Sequence, residues 1–203
     1  ISMEQMGLTD SGEPLHIVTF NPDKKFDFKK IQKEKAVLLI NNGIHPGEPD
    51  GIDATMMLFR DLALGKIKVP KNLVIVNIPI YNIGGALNRN SFSRANQNGP
   101  ESYGFRGNAR NFDLNRDFLK SDTRNARSFA QIFHKVNPDV FVDNHVSNGA
   151  NYQYTFTYIA THYQKIGGEL GTFWDKEMIP SLLSDLKNKN IEYPAYLDIE
   201  PTI

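Results

Sequence analysis

His45 and Glu48 stand three residues apart in the stretch Asn-Asn-Gly-Ile-His-Pro-Gly-Glu-Pro-Asp-Gly at 41–51. An imidazole nitrogen and a carboxylate oxygen are both ligands that zinc accepts. Pro46 and Gly47 between them restrict and then free the backbone, which suits a tight turn aiming both side chains at one point. His145 follows one hundred positions later. Two His and one carboxylate leave a fourth zinc position for water, the arrangement of catalytic zinc sites. Taken alone, the His-x-x-Glu spacing also fits a surface turn before a helix, where negative charge is mildly favourable.

The elements that must position these residues can be read from apolar spacing. Residues 37–41 form a short β-branched-rich run, predicting a buried strand. Residues 50–64 have helical spacing, with Ile52, Met56, Phe59 and Ala63 on one face. His45 and Glu48 therefore fall in a strand-to-helix turn, and the carboxyl end of a strand in an open α/β sheet is where ligands usually bind. Residues 73–80 predict a further strand after the turn at Pro70. Strand, helix, strand predicts a right-handed crossover in an α/β fold with a mixed, largely parallel sheet. Residues 15–20 predict a first strand, and the Lys-rich stretch 24–35 reads as a solvated connection.

Residues 122–136 predict a helix through Ala126, Phe129, Ala130 and Phe133, ending before Pro138. Residues 139–144 then read as a buried strand that delivers His145. Further strands are expected at 152–160 and from 196. An amphipathic helix is expected over 166–174, continuing through Met178 and Ile179, with Pro180 kinking it or opening a second helix to about 186. Residues 83–116 lack apolar periodicity. A loop this long in a compact domain is usually functional or disordered, and Phe92, Tyr103, Phe105 and Phe112 favour an ordered functional loop.

With 203 residues, 23% charged and 40% hydrophobic, the chain is expected to form a single domain with a substantial core. Lys plus Arg balances Asp plus Glu at 23 each, so no global charge points to nucleic acid or an anionic membrane. The absence of Cys excludes disulfides, Cys-ligated zinc and a thiol nucleophile. No apolar run is long enough to span a membrane. Compartment is not legible; a signal peptide preceding Ile1 would make the protein periplasmic or secreted. Both ends read as segment interiors, giving the expectation of a fragment.

The long loop carries Arg106 and the motif Asp113-Leu114-Asn115-Arg116. Arg suits carboxylate recognition through two parallel charge-assisted hydrogen bonds. Arg89, Arg94, Arg124 and Arg127 are read as surface ion-pairing residues, which are common and weak.

Together, His-Pro-Gly-Glu at 45–48, Gly-Phe-Arg-Gly at 104–107, Asp-Leu-Asn-Arg at 113–116 and Asp-Asn-His at 143–145 resemble the zinc carboxypeptidases of the carboxypeptidase A-like class, in family order and nearest its compact bacterial and cytosolic branches. The resemblance spans most of the chain. It implies a three-layer α/β/α fold with helices on both faces of the sheet. It also implies one Zn2+ held by His45, Glu48 and His145, with Asp113 as acceptor for the ring N–H of His45. Arg106 would be the electrophilic helper beside the scissile carbonyl, chosen over Arg94 and Arg110 by its nine-residue spacing from Asn115. Asn115 and Arg116 would hold the terminal carboxylate of a peptide substrate.

In this family the general base is a Glu on a late strand, and no motif here matches it. Glu169 and Glu177 read as helix positions, and Glu192 and Glu200 lack the family context. The expectation is a catalytic domain over 1–203 lacking its C-terminal part. The related alternative is a zinc deacylase acting on N-acyl amino acids. A different class of alternative is a module that binds zinc or peptide C-termini without turnover.

Overall fold

The computed structural model describes residues 1–95, 97, 99–147 and 153–193, which divide into two compact units, 1–149 and 150–203. The first unit is built on a five-stranded mixed sheet. In chain order its elements are β1 (Ser2–Leu8), β2 (Pro14–Phe20), α1 (Phe28–Glu34), β3 (Ala36–Asn41), α2 (Asp50–Ala63), β4 (Leu73–Ile78), α3 (Ile83–Leu87), a 3-10 turn at Leu114–Arg116, α4 (Arg124–Val136) and β5 (Val140–Asp143). The strand order is β1-β2-β4-β3-β5. β1 with β2 and β2 with β4 are antiparallel, whereas β4 with β3 and β3 with β5 are parallel.

Side-chain alternation along each strand separates two cores. Leu15, Ile17, Val37, Leu39, Val74, Val76 and Ile78 face Phe28 and Ile31 of α1 and Phe129, Ile132 and Val136 of α4. Their neighbours Val18, Phe20, Leu38, Ile40, Leu73 and Ile75 face Phe59 and Leu62 of α2. Helices thus cover both faces, as expected, and β3 and β4 are apolar at nearly every position because both of their sides are buried. Each Val, Leu or Ile taken fully out of water contributes about 1.5–3 kcal/mol.

Several local expectations are corrected. The sheet begins at β1, not at residue 15; Ser2–Leu8 is too polar to signal a strand, and it is an edge strand whose side chains are mostly exposed. The stretch read as a solvated connection contains α1, whose Phe28 and Ile31 reach the core beneath a Lys-rich outer face and whose Asp27 side chain accepts from Lys29 N at 3.1 Å. The buried face of α2 is Thr55, Phe59 and Leu62, with Met56 exposed. Strand β5 is half-exposed at Phe141 and Val142, because it is the sheet's outer strand.

In the second unit, residues 153–160 contain no extended strand. α5 (Tyr163–Ile166) and α6 (Gly168–Phe173) lead through a π-helical turn, Trp174–Met178, into α7 (Ile179–Asn188), with Pro180 in its first turn. Among the described residues of this unit only Gly171 is buried. The strand expected from residue 196 lies outside the described residues.

Candidate metal centre

Parallel pairing of β3 with β5 sets Asn41 opposite Asp143, and Asn144 N donates to Asn41 O at 3.0 Å just beyond. The two chain segments therefore leave the sheet side by side at their carboxyl ends. His45 lies four residues past Asn41, and His145 lies two past Asp143. Their rings come to 5.2 Å between centroids. Glu48 reaches the same point, and ligand atoms of His45, Glu48 and His145 all lie within 4.8 Å of one another.

Local packing fixes this turn. Gly47 does not supply a positive φ, contrary to the backbone freedom expected of it. Its role is close approach: a side-chain carbon there would fall 2.5 Å from Arg94 Cδ and 2.9 Å from the Gly104 carbonyl oxygen. One at Gly104 would fall 2.5 Å from Pro46 Cβ. The His-Pro-Gly-Glu turn and the Gly-Phe-Arg-Gly segment thus interlock through their glycines. Buried Asn82 ties the two together, its Nδ2 donating to Arg106 O at 2.9 Å and to Ile44 O at 3.4 Å. Asn108 closes the other side of the loop by donating to Asp10 Oδ2 at 2.9 Å while its Oδ1 accepts from Arg110 N and Phe112 N. Between α3 and the 3-10 turn, residues 99–113 are accordingly tied down by the buried side chains of Asn82 and Asn108.

The electrostatics separate the two imidazoles. His45 is 2% exposed. Burial, reinforced by the Arg106 guanidinium, lowers its pKa to about 4, so it is neutral at neutral pH. Its Nδ1 is buried and has no hydrogen-bond partner among the described residues. A buried unpaired ring nitrogen is costly unless something occupies its lone pair. His145 is raised to about 9 by its hydrogen bonds to Asp143 and Glu48. Its Nε2 lies 3.0 Å from Asp143 Oδ2 and its Nδ1 lies 3.1 Å from Glu48 Oε2. Burial opposes ionisation of Glu48, but the bonds from His145 and Val146 N, with the charges of His45 and Arg94, hold its carboxyl below the usual range.

These shifts predict how the metal-free protein responds to pH. His145 is raised above its ordinary 6.5, so its stabilising contribution is full below 6.5 and is lost as pH rises through about 9. His45 is depressed, so its contribution is full above 6.5 and is lost as pH falls toward about 4. In excess chelator, the contribution of this pair is greatest near pH 6.5. Urea midpoints between pH 5 and 9 measure it, and the alkaline loss should vanish in His145→Gln.

The remaining expected residues are only partly gathered. Arg106 donates through Nε at 3.1 Å and Nη2 at 3.0 Å to Asp113 Oδ2. Asp113 Oδ1 accepts from Asn115 N at 3.0 Å. The expected bond from His45 to Asp113 is not made in this structure, since the carboxylate is taken by Arg106 and its own turn. Asn115 does reach the site, its Nδ2 lying 3.4 Å from His45 Nε2. Arg116 is exposed and folds onto the Asn115 carbonyl at 2.9 Å. Arg110, a competitor for the Arg106 role, instead pairs with Asp10 at 3.8 Å and lies 4.9 Å over the Phe112 ring.

Two contacts at the site were not anticipated. Arg94, read as a surface ion-pairing residue and as a competitor for the Arg106 role, is 12% exposed and donates to Glu48 Oε1 at 2.9 Å. No local pattern signals this, because it depends on how the loop folds back. Asp143 backs His145 and is itself held by Asn41 Nδ2 at 2.8 Å. The Asp-Asn-His motif at 143–145 carried that pair in sequence, though without assigning Asp143 a role.

The fold has solved relatives. A metallo-carboxypeptidase from Burkholderia cenocepacia superposes with a TM-score of 0.66 at 17% identity, covering 97% of this chain and 49% of that one. Carboxypeptidase A from Helicoverpa armigera superposes at 0.56 and 15% identity, covering 72% and 41%. In sequence, the chain is 29% identical over 109 residues to Carboxypeptidase 2 of Trichophyton rubrum, 52% of this chain and 18% of that protein. The corresponding match in Trichophyton tonsurans is 27% over 124 residues, 60% and 20%. No family model matches the chain. The chain thus spans about a fifth of the length of these curated relatives and about half of the first solved one.

Proposed function

We propose that this chain, whose fold is that of the metallo-carboxypeptidases, is the metal- and carboxylate-binding part of a zinc carboxypeptidase of the carboxypeptidase A-like family that hydrolyses the amide bond next to a free peptide C-terminus. The convergence of His45, Glu48 and His145, with the His45 Nδ1 buried and without a hydrogen-bond partner among the described residues, carries the reading. Two imidazole nitrogens and one carboxylate oxygen, with His145 releasing its proton as the metal binds, suit zinc with a position left open. A zinc ion held there would supply Lewis acidity and acidify water.

The chain's own residues orient the ligands and the substrate. Asp143 fixes the tautomer of His145 by accepting from its Nε2, as carboxylates behind ligating imidazoles do. Arg106, partly exposed and near enough to His45 for its charge to lower that pKa, offers a cation that can stabilise the oxyanion developing on the substrate carbonyl. Arg116 and Asn115 receive the substrate carboxylate, orienting the bond to be broken.

The test compares peptides with a free C-terminus against the same peptides amidated, alongside N-acyl amino acids. Free C-termini should bind more tightly, and Arg116→Ala should erase the difference while leaving zinc content unchanged. A charge-assisted hydrogen bond contributes about 1.5–3 kcal/mol, or roughly tenfold to a hundredfold in affinity. Equal affinity of the parent protein for amide and free acid would remove Arg116 from this role. Release of free amino acids from N-acyl conjugates but not from peptides would assign the site to a deacylase instead.

A further inference from the structure

We infer that Arg94 is the positioning residue for Glu48, committing one carboxylate oxygen to itself and leaving the other as the sole metal-ligating oxygen. The inference rests on the metal site proposed above and adds a residue to it. Glu48 is nearly sealed, its side chain 2% exposed, and its two oxygens have different surroundings. Oε1 accepts from Arg94 Nη2 at 2.9 Å. Oε2 accepts from Val146 N at 3.0 Å and faces His145 Nδ1 at 3.1 Å. The cation therefore lies on one side of the carboxylate and the candidate metal-binding imidazole on the other.

Arg94 is itself held at several points. Its Nε donates to Gln97 Oε1 at 2.6 Å, and Gln97 Nε2 donates back to Gly47 O at 2.8 Å in the His45–Glu48 turn. Its backbone N donates to the buried hydroxyl of Tyr103 at 3.0 Å, and Tyr103 pairs with Asn90 through two backbone hydrogen bonds of 2.9 Å. Its side chain fills the space that a residue larger than Gly47 would need. Such a fixed guanidinium restricts rotation of the carboxylate about its last bond, and ligating carboxylates are held by outer hydrogen bonds of this kind.

Zinc affinity by chelator competition, together with the visible absorption of the cobalt-loaded protein, tests the role. Arg94→Ala should bind zinc about 10–100-fold more weakly. Its cobalt bands should weaken as Glu48 turns to offer both oxygens and the coordination number rises. Arg94→Lys should recover part of the affinity. Gln97→Ala, which removes the Nε anchor together with the hydrogen bond to Gly47 O, should lose affinity severalfold. If Arg94→Ala does not fold, the Lys and Gln97 variants decide. Parental or tighter zinc affinity with an unchanged cobalt spectrum in the folded variants overturns the positioning role alone. Failure of the parent protein to bind zinc at all overturns the metal-site reading and this one with it.

Discussion

Replacing His45 with Ala is expected to lower zinc affinity by about two to three powers of ten, enough to abolish stoichiometric metal in protein purified without added zinc. The size follows from sharing the roughly 10–16 kcal/mol of a four-ligand zinc site over its ligands, or about 2.5–4 kcal/mol each. The structure gives His45 a particular claim to this effect. Its pKa is lowered to about 4, so no proton competes for the ring at neutral pH, and its buried Nδ1 is not engaged by any described residue. The substitution leaves a cavity but also removes an unsatisfied polar atom, so loss of packing and relief of desolvation oppose each other in the metal-free fold. Parent and variant should therefore melt at similar temperatures in chelator and diverge when zinc is added, as only the parent gains stability by mass action. Unchanged zinc content in folded His45→Ala would sink the assignment.

Burial decides which parts of the molecule are legible in the sequence. Strands β3 and β4 and helix α4 were legible because burial on one or both sides imposes an apolar pattern that few other arrangements satisfy. Helix α1 was hidden by its own length, since seven residues with two buried positions, Phe28 and Ile31, do not establish a period against six Lys between 24 and 35. Strand β1 was hidden by exposure, for an edge strand that packs through few residues carries little alternation. At the candidate site, the convergence of His45, Glu48 and His145 was legible because two His and a Glu at strand ends are residue types that a metal site would demand and that packing does not. Arg94 and Asn82 were not. Their partners, Glu48 and Ile44, lie 46 and 38 positions away, brought near by a loop whose path is set by glycine contacts and buried amides that leave no periodic trace.

Arg106→Ala should lower kcat of the parent protein by about 10²–10³-fold on a good peptide substrate, the usual effect of removing one donor to a developing oxyanion. Zinc content should stay at the parent level. The resting geometry explains why such a change is specific to the reaction. Arg106 and Asp113 are paired at 3.0 Å, but their side chains are 42% and 30% exposed, so the bridge contributes at most about 1 kcal/mol to the fold. Both engaged nitrogens, Nε and Nη2, converge on one oxygen, Asp113 Oδ2, and among the described residues Nη1 makes no hydrogen bond. The guanidinium is thus anchored by one edge and keeps donor capacity for a substrate oxygen. Because Asn82 holds the Arg106 carbonyl through a buried amide, truncating the side chain should leave the loop in place. An interaction made only as charge develops on the carbonyl oxygen lowers kcat and kcat/KM alike, whereas one made equally with bound substrate raises KM and spares kcat. Arg106→Lys should recover part of the loss, since a single ammonium supplies charge without the fork that lets Arg hold Asp113 and the substrate together. If Arg106→Ala instead raises KM with kcat unchanged, Arg106 belongs with Asn115 and Arg116 in holding the substrate carboxylate, and the oxyanion must be met by another group.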